Sequence, residues 1–569
     1  MSTLVRVMRP VRDANVAPDA AINPSKLQPF RNEHVAGDAA IQSEKVEFLP
    51  VGVAAMKRPV RSKLRDFVNA ADYATLEAAL DASGTVYVTT PIAVSVSLTV
   101  PADKSIIVLA DGSITVAAGQ TLTIRGGFSA PRRRIFFGGG SVVGIRHVYP
   151  EWWGAAADGI TLCSPAFAAA MTCLEASLSS AGGRPTFEMA GGVYLLSSVF
   201  TVRPTASFNV LIKGAGSVLG TRLRAAASFS GLMLVHVNGT SNASLDRIAD
   251  FDIGGFSLDR QPGSSCLVGM WVGGNDTDVN LVGMQNSIIR SVHVSEFPVC
   301  WVFNQVRLVK VSRCSGWVEA IPGGIGLKLE LNDPLLFTGD LEFEHCQFVG
   351  TLGEGRANLR IEHNGPGQIK GLNFHRCIFY KADFAVSVYA DGGAQFGDWW
   401  FRDCQFDGWT RRVLNVDVHG LSTVVDDIHM DHYYARGLLG PVAYINQTAG
   451  RVAAIWFTNG WVRDAHCGDF PLFEMHGTMA AIHITGNTFE EVASTQAMIV
   501  FYDSATDLDV SHNTIRKLNT ATADRFMVLS AETDRYVVVG NKTTPDTFAS
   551  AFVTELNGAA IKWVAGNLF

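Results

Sequence analysis

The second half of the chain repeats one pattern of hydrophobic and polar positions. Each copy reads apolar, any residue, apolar, two mostly polar residues, one distinctive residue, one more residue and usually an apolar one. The second apolar position of successive copies falls at Phe343, Phe374, Phe401, Met430, Phe457, Ile484 and Val510. These positions lie 31, 27, 29, 27, 27 and 26 residues apart. A nearly fixed period of this size predicts stacked supersecondary units.

Each repeat is predicted to be made of strands. Apolar and polar residues alternate with period 2, as a half-buried strand requires. A second alternating run lies roughly midway between the copies and begins at Leu327, Leu359, Val386, Leu414, Ala443, Phe473 and Val500. Neither the 3.6-residue period of helical repeats nor a leucine-dominated consensus occurs in these copies. Two or three short strands per coil, with Gly and Asn turns, predict an all-β protein built as a parallel β-helix.

The distinctive position of the repeat carries only a few residue types. It is occupied by Cys314, Cys346, Cys377 and Cys404, and later by Asn487 and Asn513. Equivalent residues of a β-helix stack about 4.8 Å apart in successive coils, so we expect these side chains to point inward in a row. We expect free thiols, which suit assembly in a reducing cytosol. Since His or Cys partners at ligand spacing are missing around them, we expect no metal and no other cofactor.

The chain before the repeats differs in composition. Residues 1–60 contain six prolines and little periodicity, which predicts an extended N-terminal attachment arm, with a disordered tail as the alternative. Residues 61–147 contain short alternating runs between Gly and Asp turns, and we expect a small β-rich neck or cap region there. Residues 148–569 are assigned to the β-helix.

One helix is predicted near residues 165–179, at the start of the β-helix. Ser164 is expected to be its N-cap and Pro165 its first residue, with Ala and Leu following. A single helix at this point can cover the open end of a β-helix and hide strand edges that would otherwise pair with other chains.

Charge and hydropathy limit the partners of the protein. Of the 569 residues 17% are charged, and the net charge is -7 without basic runs, which argues against nucleic acid as a partner. No apolar run reaches 18 residues, so we expect no membrane insertion. The N-terminal sequence lacks the hydrophobic region of a signal peptide. We therefore expect release from a cell by lysis or inside a particle.

The segment at residues 150–198 resembles a known family. It reads PEWWGAAADG from Pro150, continues through the Ala-rich helix and ends in GGVYLLSS. This succession resembles the opening of pectate-lyase-like right-handed parallel β-helices, especially those of bacteriophage tailspikes and capsule depolymerases. The family usually has Gly where this chain has Ala157, and a pair of Asp where it has residues 161–164. That motif is structural in the family.

The resemblance implies a homotrimer that binds or cleaves a bacterial surface polysaccharide, either capsule or O-antigen. It also implies a virion protein, assembled in the host cytoplasm and attached through residues 1–60 to phage tail or head–tail connector proteins. Fold alone does not establish chemistry. The alternatives are a non-catalytic receptor-binding or structural tail protein of the same fold, and a bacterial polysaccharide lyase or epimerase.

The first candidate site lies on the outer face of the midway strands, where the resemblance places the groove of related pectinolytic enzymes. Its candidate catalytic residues are Glu362, Asp417, Glu330 and Tyr389, and its candidate substrate-binding residues are Arg360, Lys328, Trp409, Arg411 and Tyr444. Glu362 and Asp417 fall two coils apart, about 10 Å before side chains bend, which suits an inverting glycosidase. Tyr389 between them could stack on a sugar or act as a lyase base. The alternative is an ordinary exposed face of paired charges.

A second candidate site lies on the sheet that precedes the Cys position. Its outward residues include Glu344, His375, Arg402 and Asp431 on consecutive coils, a mixture suited to acid–base chemistry. Trp400 and Trp456 stand beside them. The alternative is that this sheet faces the other chains of a trimer, since Trp and Arg are enriched in interfaces.

Overall fold

The protein is a parallel β-solenoid of about 14 turns, and in the part of the chain that the structure describes 61% of the residues are in strands and 6% in helices. The computed structural model describes residues 67–109, 111–177, 184–203, 209–217, 219–238, 251–274, 282–318, 321–331, 337–353, 355–408, 410–518, 526–529 and 534–543, and the backbone of four short strands outside them. The all-β class and the β-helix architecture predicted from the sequence are confirmed.

Contacts divide the chain into Met1–Val68 and Asn69–Phe569. The first unit contains an antiparallel pair, β1 (Glu47–Phe48) and β2 (Arg58–Pro59). The rest of the predicted attachment arm lies outside the described residues. Strand β3 is Phe67–Asn69, and helix α1 is Leu76–Ala82.

Residues 85–143 form a small three-faced parallel stack with three strands on each face. The first face has β4 (Thr85–Val88), β7 (Ser105–Val108) and β10 (Gly127–Ser129). The second has β5 (Pro91–Val94), β8 (Ser113–Val116) and β11 (Phe136–Phe137). The third has β6 (Leu98–Val100), β9 (Thr121–Ile124) and β12 (Ser141–Val143). Inward residues such as Val86, Ile106 and Leu122 are fully buried, so this region already has the alternating core of a solenoid.

Helix α2 packs between this stack and the first coils of the main solenoid. It spans Ser164–Glu175, shorter at its C-terminal end than predicted, and residues 178–183 lie outside the described part. Its N-cap is Cys163, not Ser164 as predicted, because the Ser164 hydroxyl instead accepts hydrogen bonds from the backbone N–H groups of Ser197 and Ser198. The helix buries Phe167, whose ring lies 5.5 Å from that of Phe187.

In the opening coils of the main solenoid the longest strands bend from one face to the next, and length varies from two to 17 residues among the nine strands of this part. They are β13 (His147–Val148), β14 (Asp158–Leu162), β15 (Thr186–Glu188), β16 (Gly192–Val202), β17 (Val210–Lys213), β18 (Thr221–Val237), β19 (Phe251–Arg260), β20 (Val268–Gly273) and β21 (Val282–Ser295). Register shifts interrupt the pairing of β16 with β18.

From residue 299 the coils become regular, and each contributes one strand to faces A, B and C. Face A, the predicted midway strands, consists of β22 (Val299–Asn304), β25 (Ile325–Glu330), β28 (Ala357–Asn364), β31 (Phe384–Asp391), β34 (Arg412–Val418), β37 (Ala443–Gln447), β40 (Phe473–His476), β43 (Ile499–Phe501), β46 (Met527–Leu529) and β49 (Val553–Glu555). Face B, which ends at the Cys position, consists of β23 (Val306–Ser312), β26 (Phe337–Glu344), β29 (Gln368–His375), β32 (Gln395–Arg402), β35 (Val424–Asp431), β38 (Arg451–Thr458), β41 (Met479–Thr485), β44 (Ala505–Ser511), β47 (Asp534–Val539) and β50 (Lys562–Ala565). Face C consists of β24 (Ser315–Trp317), β27 (Gln347–Val349), β30 (Ile378–Tyr380), β33 (Gln405–Asp407), β36 (Tyr434–Leu438), β39 (Trp461–Gly468), β42 (Thr488–Ser494), β45 (Thr514–Leu518) and β48 (Lys542–Thr543).

The interior is a set of rows of like residues. The repeat positions Phe343, Phe374 and Phe401 are buried, and their rings stack at 4.6 and 4.9 Å with planes 6° and 3° apart. Each buried side chain of this kind stabilises the fold by about 1.5–3 kcal/mol relative to exposure. The repeat period and inward register predicted from the sequence are confirmed here.

The bend between faces B and C explains the distinctive residue of the repeat. A residue with positive φ precedes each thiol, for example His345 at 54° before Cys346 and Arg376 at 53° before Cys377. The left-handed residue turns the chain and directs the next side chain inward. The predicted row of cysteines is confirmed: Cys314, Cys346, Cys377 and Cys404 are buried free thiols.

Two residues interrupt this row for a steric reason. Tyr433 occupies the bend after Cys404 and is buried. A Cβ atom at Gly460, one coil further on, would lie 2.2 Å from the Tyr433 ring. The tyrosine therefore fills the space of two coils, and only glycine fits beside it.

Candidate functional site

The outer side of face A carries two rows of polar and aromatic residues, which we call the face A stripe. Strand pairing places one row at Lys328, Arg360, Ser387, Asn415, Tyr444 and Glu474. It places the other at Glu330, Glu362, Tyr389, Asp417, Asn446 and His476. Both rows agree with the register predicted from the sequence. Neighbours within a row are one coil, or about 4.8 Å, apart.

One end of the stripe is an acidic pair that shares a lysine. The Lys328 ammonium contacts Glu330 and lies 2.7 Å from Glu362 Oε1. The side chains of Lys328, Glu330 and Glu362 are 21%, 12% and 35% exposed, so water screens their charges only partly. Burial lowers the pKa of Lys328, but the two carboxylates outweigh that effect and leave its pKa above the ordinary value. The cation predicted to hold an acidic sugar is thus already bonded to two carboxylates.

The middle of the stripe combines an exposed ring with an oriented carboxylate. Tyr389 is 41% exposed and pairs with Glu362 on one side and Asp417 on the other. Asp417 accepts hydrogen bonds from Asn415 Nδ2 at 2.9 Å and from Asn446 Nδ2 at 3.2 Å. Both asparagines lie in the outward rows of face A, although Asn415 is buried by its neighbours, and their role in positioning Asp417 was not predicted from the sequence. Their only sequence signal was their place between charged residues in an outward row.

An arginine connects this middle part to the next coil. Arg412 Nη1 donates to Asn415 Oδ1 at 2.5 Å, and its guanidinium lies 3.8 Å from the centre of the Tyr444 ring. The chain Arg412–Asn415–Asp417 therefore fixes the orientation of the carboxylate. Burial raises the pKa of Tyr444. This ring is covered on one side by the guanidinium, which reduces the area that a sugar could contact.

The far end of the stripe contains a stacked pair. His476 Nε2 lies 2.9 Å from Glu474 Oε1, and its ring stacks on Tyr502 at 4.3 Å with planes 5° apart. Tyr502 is exposed, and burial of its inner part together with Glu474 raises its pKa. An aromatic ring therefore reaches the surface at both Tyr389 and Tyr502.

A cavity of about 450 Å³ lies beside the stripe, at the corner between faces C and A. Arg411 lines it, and its Nε lies 3.3 Å from the buried Asp383. Arg360 Nη2 donates to Gly355 O at 2.9 Å, at the edge of the same cavity. Trp409, predicted to contact substrate from this corner, lies outside the described residues.

The second candidate site, on face B, has the predicted register, but its four residues are bonded to separate neighbours. Lys310 lies 2.9 Å from Glu344, His375 lies 3.3 Å from Asp403, and Arg402 lies over the Trp400 ring at 4.1 Å. Asp431 accepts from Thr458 Oγ1 at 2.8 Å and from Asn459 Nδ2 at 3.1 Å. Each of the four groups is therefore already held by a partner outside the set.

The two tryptophans of face B alternate with two histidines in one column of stacked rings. His429 lies 3.6 Å from Trp400 and 4.1 Å from Trp456, and His483 lies 5.4 Å from Trp456, all with ring planes within 3° of parallel. Both faces of the Trp456 indole are therefore covered. Only ring edges point outward, which leaves no platform on which a sugar could stack.

Within the described part of the chain, two further features are missing. No group of three or more His, Cys, Asp or Glu side chains has an arrangement that could hold a metal ion. No helix there is long and apolar enough to cross a membrane.

Comparison with solved structures gives similarities of fold. The A-module of a mannuronan C-5 epimerase from Azotobacter vinelandii is 13% identical with a TM-score of 0.42, over 74% of this chain and 100% of that one. Tailspike protein 3 of bacteriophage CBA120 is 12% identical with a TM-score of 0.44, over 73% and 61%. The Streptococcus pneumoniae adhesin PfbA is 11% identical with a TM-score of 0.42, over 72% and 100%. A scan against protein-family models and a search of curated proteins gave no match.

Proposed function

We propose that the protein is a phage tailspike that binds and depolymerises a bacterial surface polysaccharide along the face A stripe. The observation that carries this proposal is the central group of Glu362, Tyr389 and Asp417. It combines two carboxylates with an exposed aromatic ring between them, on consecutive coils. A row of groups repeating every 4.8 Å or so suits an extended polymer better than a compact small molecule. The resemblance of residues 150–198 to tailspike sequences supports the same class.

The three central residues have distinct roles in the proposed reaction. Glu362 and Asp417 act as acid and base on either side of the bond, since two coils of separation approach the roughly 6.5–9.5 Å of inverting glycosidases. Tyr389 packs on the sugar between them, or removes a proton if the reaction is an elimination. Glu330 holds Lys328 beside Glu362. Arg360 and Arg411 supply positive charge at the edge of the stripe.

A second candidate function is binding without cleavage. It is favoured by the fact that both carboxylates already have partners, Glu362 in Lys328 and Asp417 in two asparagine amides. A catalytic acid must exchange a proton, whereas a receptor-binding surface needs only fixed acceptors.

The test is incubation of the purified protein with a panel of capsular and O-antigen polysaccharides, followed by chain-length analysis and mass spectrometry. We expect one polymer to be shortened. Hydrolysis adds the mass of water at each cut, while elimination leaves an unsaturated sugar. A polymer that is bound but keeps its length would establish the binding function and refute depolymerisation.

Matched variants locate the reaction. Glu362→Gln and Asp417→Asn should each lower turnover at least about 100-fold, as loss of a general acid or base does. Both side chains point outward, so thermal midpoints should change little. Glu344→Gln and Asp431→Asn on face B are the controls and should retain activity. If only the face B variants lost activity, the active site would lie on face B and not on face A.

We further propose that the functional particle is a homotrimer within the virion. Face B supplies the surface for contact between chains, because its aromatic stripe has its edges outward and its tryptophans and arginine are of types enriched in interfaces. Sedimentation of the purified protein should give three times the mass of one chain. A sedimentation mass equal to that of one chain would refute the trimer and the assignment of face B as its contact surface.

A further inference from the structure

A cavity of about 690 Å³ lies over face C where the opening coils meet the regular ones. Its walls come from the turn after β19, the end of β21 and the outer side of β24. It shares no lining residue with the face A stripe. Its volume falls in the range of roughly 300–1,000 Å³ that is typical of small-molecule sites.

Strand register directs side chains into this cavity. His293 pairs with Ser315, and Ser295 pairs with Trp317. Because alternate residues of a strand point to the same side, His293 and Trp317 both lie on the outer surface of face C. Both residues line the cavity.

The rim is held in place by backbone contacts. Arg260 Nε donates to Glu296 O at 2.6 Å, and its Nη1 donates to Ser264 O at 3.3 Å and to Cys266 O at 3.0 Å. The backbone N–H of Glu296 donates to Trp317 O at 3.2 Å. The turn and the strand end are thus tied together before any ligand arrives, which lowers the entropy cost of binding.

Trp317 offers an open aromatic surface. Its side chain is 39% exposed, and His293 contacts it edge to face, at 5.1 Å and 84°. A perpendicular contact covers at most one face of the indole. Trp456 on face B differs, because a parallel ring covers it on each side.

Most charge around the cavity is neutralised internally. The buried Asp259 receives two hydrogen bonds of 2.8 Å from Arg224 and lies 3.3 Å from Arg222. Burial and then Arg222 lower the pKa of His293, against the opposing effect of Asp259, and this favours the uncharged imidazole. The Glu296 carboxylate is exposed and helps to raise the pKa of Arg224. The cavity is therefore lined by an aromatic face, an imidazole, the Glu296 carboxylate and the Arg260 guanidinium, which is bonded to backbone carbonyls.

We propose that this cavity is a second glycan-binding site, which holds a short stretch of the same polysaccharide with one sugar ring against Trp317. The apolar face of a pyranose, lined by C–H groups, packs on an indole, while its hydroxyls donate to a carboxylate such as Glu296. The proposal rests on the proposed function for the class of polymer. It adds a non-catalytic point of attachment on another face of the same chain, which raises the affinity for a long polymer by multivalency.

The experiment separates binding from cleavage. Binding of the full-length polysaccharide identified in the panel is measured by titration calorimetry on the cleavage-impaired Glu362→Gln/Asp417→Asn protein. In that background, Trp317→Ala should weaken binding about tenfold or more, as truncation of an aromatic anchor does. Glu296→Gln should weaken it by about fivefold. Turnover of short fragments by the otherwise unaltered Trp317→Ala protein should stay within about twofold of wild type, because such fragments do not need the second attachment point.

Trp461→Ala is the matched control, since Trp461 is also on face C, is 42% exposed and lies outside the cavity. It should bind as wild type does. Unchanged polymer binding in Trp317→Ala and Glu296→Gln would overturn the cavity proposal while leaving the stripe intact. Cavity variants that bind weakly, together with Glu362 and Asp417 variants that still cleave, would support the cavity and refute the proposed stripe. Failure of every polysaccharide in the panel to bind would refute both.

Discussion

At the scale of single residues, Lys328 decides how the acidic end of the stripe behaves. Its ammonium contacts both Glu330 and Glu362, which belong to adjacent coils and would otherwise repel each other at about one coil's distance. Alternation in the sequence predicted that all three point outward. It did not predict that the Lys328 ammonium would be bonded to both of these glutamates.

We expect Lys328→Met to destabilise the protein by about 2 kcal/mol, because it leaves two partly buried carboxylates without their cation. The measurement is denaturant unfolding at neutral pH. The double variant Lys328→Met/Glu330→Gln should recover much of the loss, since one of the two charges is gone. A single variant as stable as wild type would mean that solvent screens the pair completely.

Asp431 links stability to acid pH. Burial pushes its pKa up, but hydrogen bonds from Thr458, His432 and Asn459 outweigh burial and leave the pKa below 3.8. A lowered folded-state pKa adds stability above the unfolded pKa, and this stability is lost as pH falls through the folded-state value. Wild type should therefore be more stable than Asp431→Asn at neutral pH. Thermal midpoints should converge as pH drops below 3.8, and a constant difference down to strongly acidic pH would contradict a charge-dependent role.

At the scale of elements, the bend between faces B and C uses two chemistries for one position. The thiols make weak contacts, such as Cys377 Sγ to Phe343 O at 3.3 Å. The later asparagines form a complete ladder. Asn513 Nδ2 donates to Ile484 O at 2.7 Å, and its Oδ1 accepts from the backbone of Asn487 at 2.9 Å. Each amide thus satisfies backbone groups of the adjacent coil.

Substitution by alanine should affect stability differently in the asparagine part and in the cysteine part of this row. We expect Asn513→Ala to destabilise the protein by about 3 kcal/mol, because buried backbone groups lose their partners. Cys377→Ala should cost only about 1 kcal/mol, from a small change in packed volume. Guanidinium unfolding of both variants is the check. Equal losses would show that packing, and not hydrogen bonding, holds the bend.

At the scale of the whole molecule, the solenoid is built from contacts between adjacent coils, so changes at one end should have little effect on distant coils. Residues 69–569 contain the stripe, the corner cavity and the face C cavity. We infer that glycan recognition belongs to this unit, and that residues 1–60 serve attachment.

Deletion of residues 1–60 should therefore leave polysaccharide binding and cleavage unchanged and abolish incorporation into phage particles. Binding is measured by calorimetry, and incorporation by probing purified virions for the protein. A matched control is the Glu362→Gln full-length protein, which should be incorporated but inactive. Truncated protein found in virions at the wild-type level would refute the attachment role.

The sequence by itself determined the parallel β-helix, the inward rows and both outward rows of face A. It could do so because alternation with period 2 and the spacing of Phe343, Phe374 and Phe401 are properties of short segments. A helix near residues 165–179 was predicted from the sequence and is present. Its first residue was not predicted correctly, because the Ser164 hydroxyl accepts a hydrogen bond from a strand that is distant in sequence.

Only the tertiary structure decided which of these surfaces can act. It showed that Lys328 bridges two glutamates, that Tyr433 forces glycine at position 460, and that the face B tryptophans have their ring faces covered. It also revealed the cavity beside Trp317, because the walls of this cavity come from the turn after β19 and from the ends of β21 and β24, which no fixed period brings together. The face to which a strand side chain points follows from the local sequence. Contacts between coils depend instead on the number of residues in every turn between them.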